Sequence, residues 1–308
     1  MAKSVISAPH FKDEPAAFAY VEARLWPTGP VCPFCAETAR VGRLSGKATR
    51  PGLCKCYACK KQFTVRVGTI FESSHLPLHL WLQIIHFMCA SKKGISTRQI
   101  QRLLNCSMKT AWFLGHRIRE AMKPVGAAPV GGEGVTLEAD ETFIGRKAGT
   151  KLYKDVSEKQ IVFTLVERDG RARSTHIPNV RSETLREAIV ANASLKANFM
   201  TDEHTSYGVV GGMFTAHATV NHGAGEYVRG PFHTNSVEGF FSILKRGIYG
   251  VYQHVSIAHL QRYLVEFDFR YSNREARGVD DIARADLALV GFKGKRLTYR
   301  TTCRELWR

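Results

Sequence analysis

The sequence predicts a multidomain α/β protein, in which a small metal-binding domain and a pair of helices precede an α/β domain. Three observations predict this class: two cysteine doublets near the N-terminus, two amphipathic segments separated by a short break, and a change to strand-like patterns after a stretch rich in glycine and proline. The predicted boundaries are 1–72 for the metal-binding domain, 73–123 for the helical domain, 124–134 for a linker, 135–278 for the α/β domain and 279–308 for a basic C-terminal tail.

The cysteine doublets are two C-x2-C pairs, Cys32 with Cys35 and Cys56 with Cys59. Their spacing is typical of a four-thiolate zinc site, in which two tight turns complete a closed tetrahedron. A closed site leaves no position for water or substrate, so one structural Zn2+ is expected. Cys54 is an alternative to Cys56 as the third ligand.

Secretion and membrane insertion are not expected. Residues 1–9 contain no apolar run of signal-peptide length, and no stretch approaches the roughly 18 apolar residues that would span a bilayer. A disulfide framework is therefore a poor explanation of the cysteines, and a cytoplasmic protein without a membrane partner is expected.

Charge indicates the kind of partner. The formal net charge is +17 and the pI is about 9.7, with most of the excess in residues 1–130. A hydrophobic content of 44% excludes a disordered chain, and the excess of positive charge favours a polyanionic partner, of which nucleic acid is the commonest. Basic surfaces also occur on proteins that bind no nucleic acid.

The N-terminal elements follow in order. Basic residues flank the cysteines and alternate with short strand-like pieces such as 62–67, which predicts a zinc ribbon. Residues 77–90 carry apolar side chains at spacings of three and four, which predicts a helix.

A helix-turn-helix is predicted next. Ser96 and Gln99 form a capping-box pattern that begins a short helix, with Ile100, Leu103 and Leu104 facing inward. A break at 105–107 separates it from a longer helix over 108–122. The residues of that second helix expected to face DNA are Lys109, Thr110, His116, Arg117 and Arg119. Two amphipathic helices joined by a turn also occur in proteins that do not bind DNA.

Beyond the linker, the pattern predicts an α/β domain. Its expected elements are strands over 135–144, 160–167 and 174–178, a helix over 182–193, a short strand over 197–201 and a helix over 257–274.

Three carboxylates of this domain are candidate metal ligands. Asp140 lies within a predicted strand, Asp202 lies where a short strand ends, and Glu238 lies at the start of a predicted helix with Lys245 two turns further on. Three converging carboxylates can hold two Mg2+ or Mn2+ ions that act on a phosphodiester. Each acid also has a structural alternative: an arginine partner for Asp140, a turn for Asp202, and a capping box with Asn235 for Glu238.

The spacing of Asp202, Glu238 and Lys245 resembles the DDE signature of bacterial insertion-sequence transposases and retroviral integrases. The block 233–241, followed by Leu244, Lys245 and Arg246, is similar to the third-acid block of the Merlin-related insertion-sequence transposases, which also carry an N-terminal zinc ribbon.

This resemblance implies a ribonuclease-H-like, retroviral-integrase-like catalytic domain. Asp140, Asp202 and Glu238 would hold two Mg2+ or Mn2+ ions, with Lys245 and Arg246 beside the DNA. Asn235 is expected to help position metal or substrate.

The glutamates next to two of the acids, Glu141 and Glu203, are expected to point away from the site. The basic segment 293–308 either contacts phosphates or is simply solvated.

The function implied is that of a transposase that binds double-stranded DNA at terminal inverted repeats, cuts it and joins it to target DNA. A homodimer or larger assembly in the bacterial cytoplasm, associated with the nucleoid, is expected because two element ends must be brought together. Two alternatives stay open: a DNA-binding regulator with an inactive transposase-derived domain, and a stand-alone two-metal nuclease.

Overall fold

The computed structural model describes residues 4–145, 159–220 and 228–297. The chain forms two compact units. The first contains the described residues up to Ser91, those from Ile95 to Pro124 and those from Asp280 onward, and the second contains Lys92–Gly94 and Val125–Val279.

The first unit begins with a helix that the sequence patterns did not predict, α1 (Glu14–Leu25). The Asp13 side chain caps it by accepting a hydrogen bond from the N–H of Ala16, and Pro15 occupies its first turn, where a missing N–H costs nothing. Three short antiparallel strands follow in the order β1-β2-β3 and form the expected ribbon. They are β1 (Val41–Arg43), β2 (Cys54–Cys56) and β3 (Gln62–Phe63).

Three further helices match the predicted segments closely: α2 (Leu78–Ala90), α3 (Thr97–Leu104) and α4 (Met108–Met122). Ser96 and Gln99 form the expected capping box, and Asn105 ends α3 in the left-handed conformation with φ 46°. One expected orientation was wrong, because Leu103 is 55% exposed while Ile100 is buried.

The segment 279–308, predicted as a basic tail, begins with a helix. Residues of its first part form α9 (Asp281–Val290), which packs on α1 and α2 within the first unit and buries Ala288 and Leu289. Asp286 of this helix accepts hydrogen bonds from Tyr20 and Arg24 of α1. The rest of the predicted tail from residue 298 lies outside the described residues.

The second unit is built on a mixed sheet with the strand order β6-β5-β4-β7-β8. Strands β4, β5 and β6 are antiparallel neighbours, whereas β7 runs parallel to β4 and β8 runs parallel to β7. Their bounds are β4 (Thr136–Ile144), β5 (Gln160–Glu167), β6 (Ala172–Ile177), β7 (Asn198–Asp202) and β8 (Ala216–Val220).

Helices complete this unit. They are α5 (Ser182–Asn192), the short α6 (Gly208–Gly211), α7 (Asn235–Gly247) and α8 (Ile257–Ser272), with a small hairpin of β9 (Val228–Arg229) and β10 (Phe232–His233) before α7. Alternation along β4 places Leu137 and Ala139 in a core with α5, while Ile144 contributes to a second core with α7 and α8.

Part of the segment 124–134, predicted as a linker, packs into the second unit. The boundary between the two units falls after Pro124, within the segment 124–134, and Val130 of that segment is buried in the core beside α5. Val130 donates its N–H to the carbonyl of Asn192 and pairs with Ala193.

The outer edge of the sheet at β6 is covered by α8. The N–H groups of Ala172, Ser174 and His176 donate to side chains of that helix, at 3.0 Å to Ser272, 2.8 Å to Asp268 and 3.1 Å to Gln261. These side chains satisfy strand groups that an open edge would leave unpaired.

Within the described part of the chain, no helix combines the length and the apolar character that crossing a membrane requires.

Candidate zinc site and candidate active site

The four cysteines of the two doublets form one cluster in the first unit. Their sulfur atoms all lie within 4.8 Å of one another, with Sγ–Sγ distances of 3.6 Å for Cys32 with Cys59 and for Cys35 with Cys56. Tetrahedral zinc with Zn–S bonds of about 2.3 Å requires sulfur separations of about 3.8 Å. The donor set and its spacing therefore fit a closed zinc site.

Of the two candidates for the third ligand, Cys56 lies in the cluster. The N–H of Cys59 points at the Cys56 sulfur at 3.5 Å. This hydrogen bond, with others from the Ala58 N–H and the neighbouring cysteines, lowers the pKa of Cys56 to about 7, which favours the thiolate that zinc binds. Cys54 is outside the cluster. Burial and the nearby Glu22 raise the pKa of its thiol, so it remains a buried apolar group.

The candidate active site lies where β4 and β7 separate in the second unit. The two strands pair in parallel up to Glu138 with Met200, and Asp140 and Asp202 each follow two residues later. Residues two apart share a face of a strand, so both aspartates project to one side of the sheet at the ends of neighbouring parallel strands. Ligands of open α/β sheets bind at such ends.

Helix α7 adds the third acid. A pocket of about 410 Å3 opens between the strand ends and this helix. Its lining consists of Asp140, Glu141, Thr142, Asp202, Thr234, Glu238, Phe241, Ser242 and Lys245. Asp140, Asp202, Glu238 and Lys245 are thus brought together, whereas Asn235 and Arg246 do not line the pocket. Arg246 donates a hydrogen bond to Ser242, at 2.6 Å.

Burial and neighbouring charges shift the pKa of Asp140 in the pocket. Burial, together with the charges of Asp202 and Glu238, raises the pKa of Asp140 to about 7. The hydrogen bond from the Glu141 N–H and the charge of Lys245 act in the opposite direction. A bound cation would stabilise the ionised form of these carboxylates.

Two of the acids accept hydrogen bonds from backbone N–H groups close to them in sequence. Asp140 Oδ1 accepts a hydrogen bond from the N–H of Glu141 at 2.7 Å. Asp202 does form a turn, since its Oδ1 accepts from the N–H of His204 at 3.1 Å, and it lines the pocket as well.

No capping box with Asn235 forms at α7. The helix is preceded by Thr234 as its N-cap, and the Thr234 hydroxyl donates to Glu238 Oε1 at 3.3 Å. This contact fixes the Glu238 side chain near the pocket.

Glu141 was expected to point away, but its side chain lines the pocket. The ladder between β4 and β7 ends at Glu138 with Met200, so β7 does not pair with β4 beside Glu141. Burial raises the pKa of Glu141 to about 8, and the Tyr207 hydroxyl lies nearby and counters the shift. Glu203, by contrast, is exposed and is not part of the lining, as expected.

Sequence reasoning missed several lining residues. The two-residue period of β4 places Thr142 on the face of Asp140, and the helical period of α7 places Ser242 on the face of Glu238 and of the predicted Lys245. These patterns could have identified both missed residues. Thr234 is revealed only by its contact with Glu238.

The donor set fits Mg2+ or Mn2+, which prefer carboxylate oxygens. The three acids stand further apart than the thiolates do. Among the described residues, only the cysteines form a group whose ligand atoms all lie within 4.8 Å of one another. Magnesium tolerates this because it keeps several of its own waters.

The predicted DNA-facing residues of α4 divide into two groups. Lys109 and Thr110 are exposed at the start of the helix. His116, Arg117 and Arg119 were expected on the same surface, but they are only 0%, 6% and 2% exposed. The C-terminal half of α4 is packed inside the first unit, where Arg117 donates to the carbonyl of Leu297 and lies over the Phe113 ring.

Comparison with known proteins finds similar domains in two regions of the chain. Residues 131–272 match the sequence model of an ISXO2-like transposase domain, and residues 12–62 match that of a transposase zinc-ribbon domain. A zinc ribbon followed by a transposase domain is the domain order that the cysteines and carboxylates predicted.

Over these two regions the chain is similar to the IS1595-type transposase and transposase zinc-ribbon domains that the models describe. It is also 26% identical over 265 residues to an uncharacterized protein in transposable element ISH50 of Halobacterium salinarum, covering 80% of this chain and 86% of that protein. The resemblance to insertion-sequence transposases is thereby confirmed.

Proposed function

We propose that this transposase binds the terminal inverted repeats of its insertion sequence, cuts the DNA there and joins the ends to target DNA. The observation that carries the proposal is the convergence of Asp140, Asp202 and Glu238, from two strand ends and a helix, on one pocket that Lys245 also lines. The family of the chain supports the same reaction class.

The catalytic domain is proposed to be ribonuclease-H-like. The support is the strand order β6-β5-β4-β7-β8, with three antiparallel strands followed by two parallel ones. In this arrangement the first acid lies on the central strand and the second at the end of its parallel neighbour.

Asp140, Asp202 and Glu238 would hold two Mg2+ or Mn2+ ions. When bound, such ions polarise a phosphodiester, lower the pKa of a water or hydroxyl nucleophile and stabilise the leaving oxygen. The family and the donor set support this assignment.

Other residues of the chain attract phosphate, orient Glu238 and contact DNA. Lys245 supplies a positive charge at the pocket wall, where it attracts a phosphate. The Thr234 hydroxyl orients Glu238 through its hydrogen bond to Oε1. Asn235 is exposed at the first turn of α7, outside the pocket lining, so we assign it a contact with DNA rather than with metal. Arg246 is likewise assigned to the DNA.

DNA recognition is assigned to the first unit. The ribbon carries exposed lysines and arginines, and Lys109 and Thr110 begin the second helix of a helix-turn-helix, where recognition helices contact base edges and phosphates. Because two ends must be joined, we propose that a homodimer or larger assembly acts on the DNA in the bacterial cytoplasm.

The test is nicking and strand transfer with a labelled element end, a target plasmid and Mg2+. Asp202→Asn is the informative variant, because the amide oxygen still accepts the hydrogen bond of His204 while the charge is lost. Glu203→Gln is the matched control, since Glu203 is exposed and does not line the pocket.

Joining by the wild type and by Glu203→Gln, but not by Asp202→Asn, supports the proposal. Cleavage without joining would indicate a stand-alone nuclease. Tight DNA binding without either reaction would indicate a regulator and overturn the proposal.

A further inference from the structure

A fully buried glutamate lies two residues before Asp140. Glu138 is 0% exposed, and its carboxylate accepts hydrogen bonds from Arg168 Nε at 3.0 Å, the Ser236 N–H at 2.7 Å, the Ser236 hydroxyl at 3.0 Å and the Val237 N–H at 3.2 Å. A buried charge is tolerated when it is paired and hydrogen-bonded in this way.

Three of these donors belong to the first turn of α7. The N–H groups of Ser236 and Val237 are orphan donors that an N-cap side chain ordinarily satisfies. Thr234 is the N-cap residue, but its side chain makes no such bond. Glu138 takes its place from the neighbouring strand, and the negative carboxylate also suits the positive end of the helix dipole.

At the same helix start, the Thr234 hydroxyl donates to Glu238 Oε1 at 3.3 Å. Glu138 and Asp140 share one face of β4, so the same strand carries the first acid and anchors the helix that carries the third. Arg168 also binds the carbonyls of Pro231 and His233, which ties the hairpin before α7 to the same carboxylate.

We propose that Glu138 is a positioning residue of the transposase. By capping α7 it sets the distance of Glu238 and Lys245 from Asp140, and so sets the affinity of the pocket for divalent metal. The inference rests on the proposed metal-binding function of the pocket. Groups that hold metal ligands in place in this manner typically change metal affinity or activity 10- to 100-fold when altered.

A second buried acid provides a matched control. Glu167 is 7% exposed on the adjacent strand β5 and accepts hydrogen bonds from Arg171 and from the N–H of Gly131, at 2.8 Å for the latter. It has no contact with α7 among its hydrogen bonds in the described chain. Glu138→Gln and Glu167→Gln therefore make the same chemical change at two arginine-paired carboxylates of one unit.

The experiment uses the full zinc-loaded chain and two readouts. Hydrogen–deuterium exchange of peptides from the first turn of α7 reports the position of the helix, and the electron paramagnetic resonance signal of free Mn2+ reports metal binding. In Glu138→Gln the negative charge at the start of α7 is removed, and the amide N–H groups face the donors of either Ser236 and Val237 or Arg168, so the cap is weakened.

We expect Glu138→Gln to speed exchange at the start of α7 about tenfold and to weaken Mn2+ binding about 10- to 100-fold. Glu138→Asp, which keeps the charge on a shorter stem, should restore part of both. Glu167→Gln should change neither by more than about twofold, even where it lowers the melting temperature.

Unchanged exchange in α7 of Glu138→Gln overturns the inference, and so does an equal loss of Mn2+ affinity in Glu167→Gln, because a general loss of stability then explains the effect. If the wild type binds Mn2+ no better than Asp202→Asn, the metal site of the proposed function fails instead. Exchange in α7 then decides alone whether Glu138 positions the helix.

Discussion

Asp140 and Asp202 occupy equivalent positions on two parallel strands, each two residues beyond the last pair, Glu138 with Met200. The pairing of β4 with β7 stops there, and the pocket opens between the separated ends. One parallel pairing register therefore brings together two carboxylates that are far apart in the sequence.

The zinc ligands can be distinguished by a pair of variants. Cys56→Ser is expected to lose the bound zinc, because it removes one of four thiolates whose sulfur atoms lie within 4.8 Å of one another. Cys54→Ser is expected to keep one zinc per chain, since Cys54 lies outside that cluster. Zinc released by acid can be quantified with a chelating dye. Retention of zinc by Cys56→Ser would contradict the assignment.

Lys245 and Arg246 are neighbouring exposed cations with different surroundings. Lys245 lines the pocket, whereas Arg246 is outside the lining and donates to Ser242. Lys245→Ala should lower the rate of strand transfer about 10- to 100-fold, because a positive charge aimed at the reacting phosphate is lost. Arg246→Ala should lower it only about twofold, through one weaker phosphate contact. Rates measured in single turnover at saturating Mg2+ test this, and equal losses would contradict it.

Substitution of two basic residues of α4 should affect two different properties, DNA binding and stability. Lys109→Ala should weaken binding to the element end and reduce the slope of log affinity against log salt by about 1, while the melting temperature stays unchanged. Arg117→Ala should instead destabilise the first unit by about 2–4 kcal/mol, because Arg117 is 6% exposed and donates to the Leu297 carbonyl. Fluorescence anisotropy over a salt series and thermal melting separate the two effects. A loss of affinity without a loss of stability in Arg117→Ala would contradict this assignment.

The raised pKa of Asp268 predicts that the stability of the protein depends on pH. Burial raises its pKa from 3.8 to about 6, although its hydrogen bonds from Ser174 act in the opposite direction. Between pH 4 and pH 6 the folded state therefore holds a proton that the unfolded state has released, so this group lowers stability as the pH rises through that window. The integrated cost is about 3 kcal/mol.

Asp268→Asn removes the titration while its amide oxygen can still accept the Ser174 N–H. Relative to the wild type, this variant should become more stable as the pH rises from 4.5 to 7.5, as measured by urea unfolding. Ser272→Ala is the control, because it removes a neighbouring contact of α8 with β6 but no titratable group. A difference between Asp268→Asn and the wild type that is constant over this pH range would contradict the prediction.

The sequence alone determined the local elements and the chemistry of the ligands. Helices α2, α3 and α4 and strand β5 were predicted to within about a residue, because hydrophobic period and capping residues are local properties. The cysteine doublets predicted the four-cysteine cluster, because the two cysteines of each doublet share one turn, which is also a local property. The three acids and Lys245 were identified by spacing and by resemblance, and the pocket contains all four.

Only the tertiary structure decided which residues face the pocket and which are buried. Periodicity placed Arg117 on a surface, but it is buried and donates to the carbonyl of Leu297, which is distant in sequence. Helix α9 joined the first unit through Asp286 and Arg24, although a charged C-terminal segment carries no local sign of such packing. Glu138 caps a helix almost a hundred residues further along the chain, because the fold brings β4 beside α7. Such contacts depend on chain segments meeting in space, and no local pattern in the sequence specifies them.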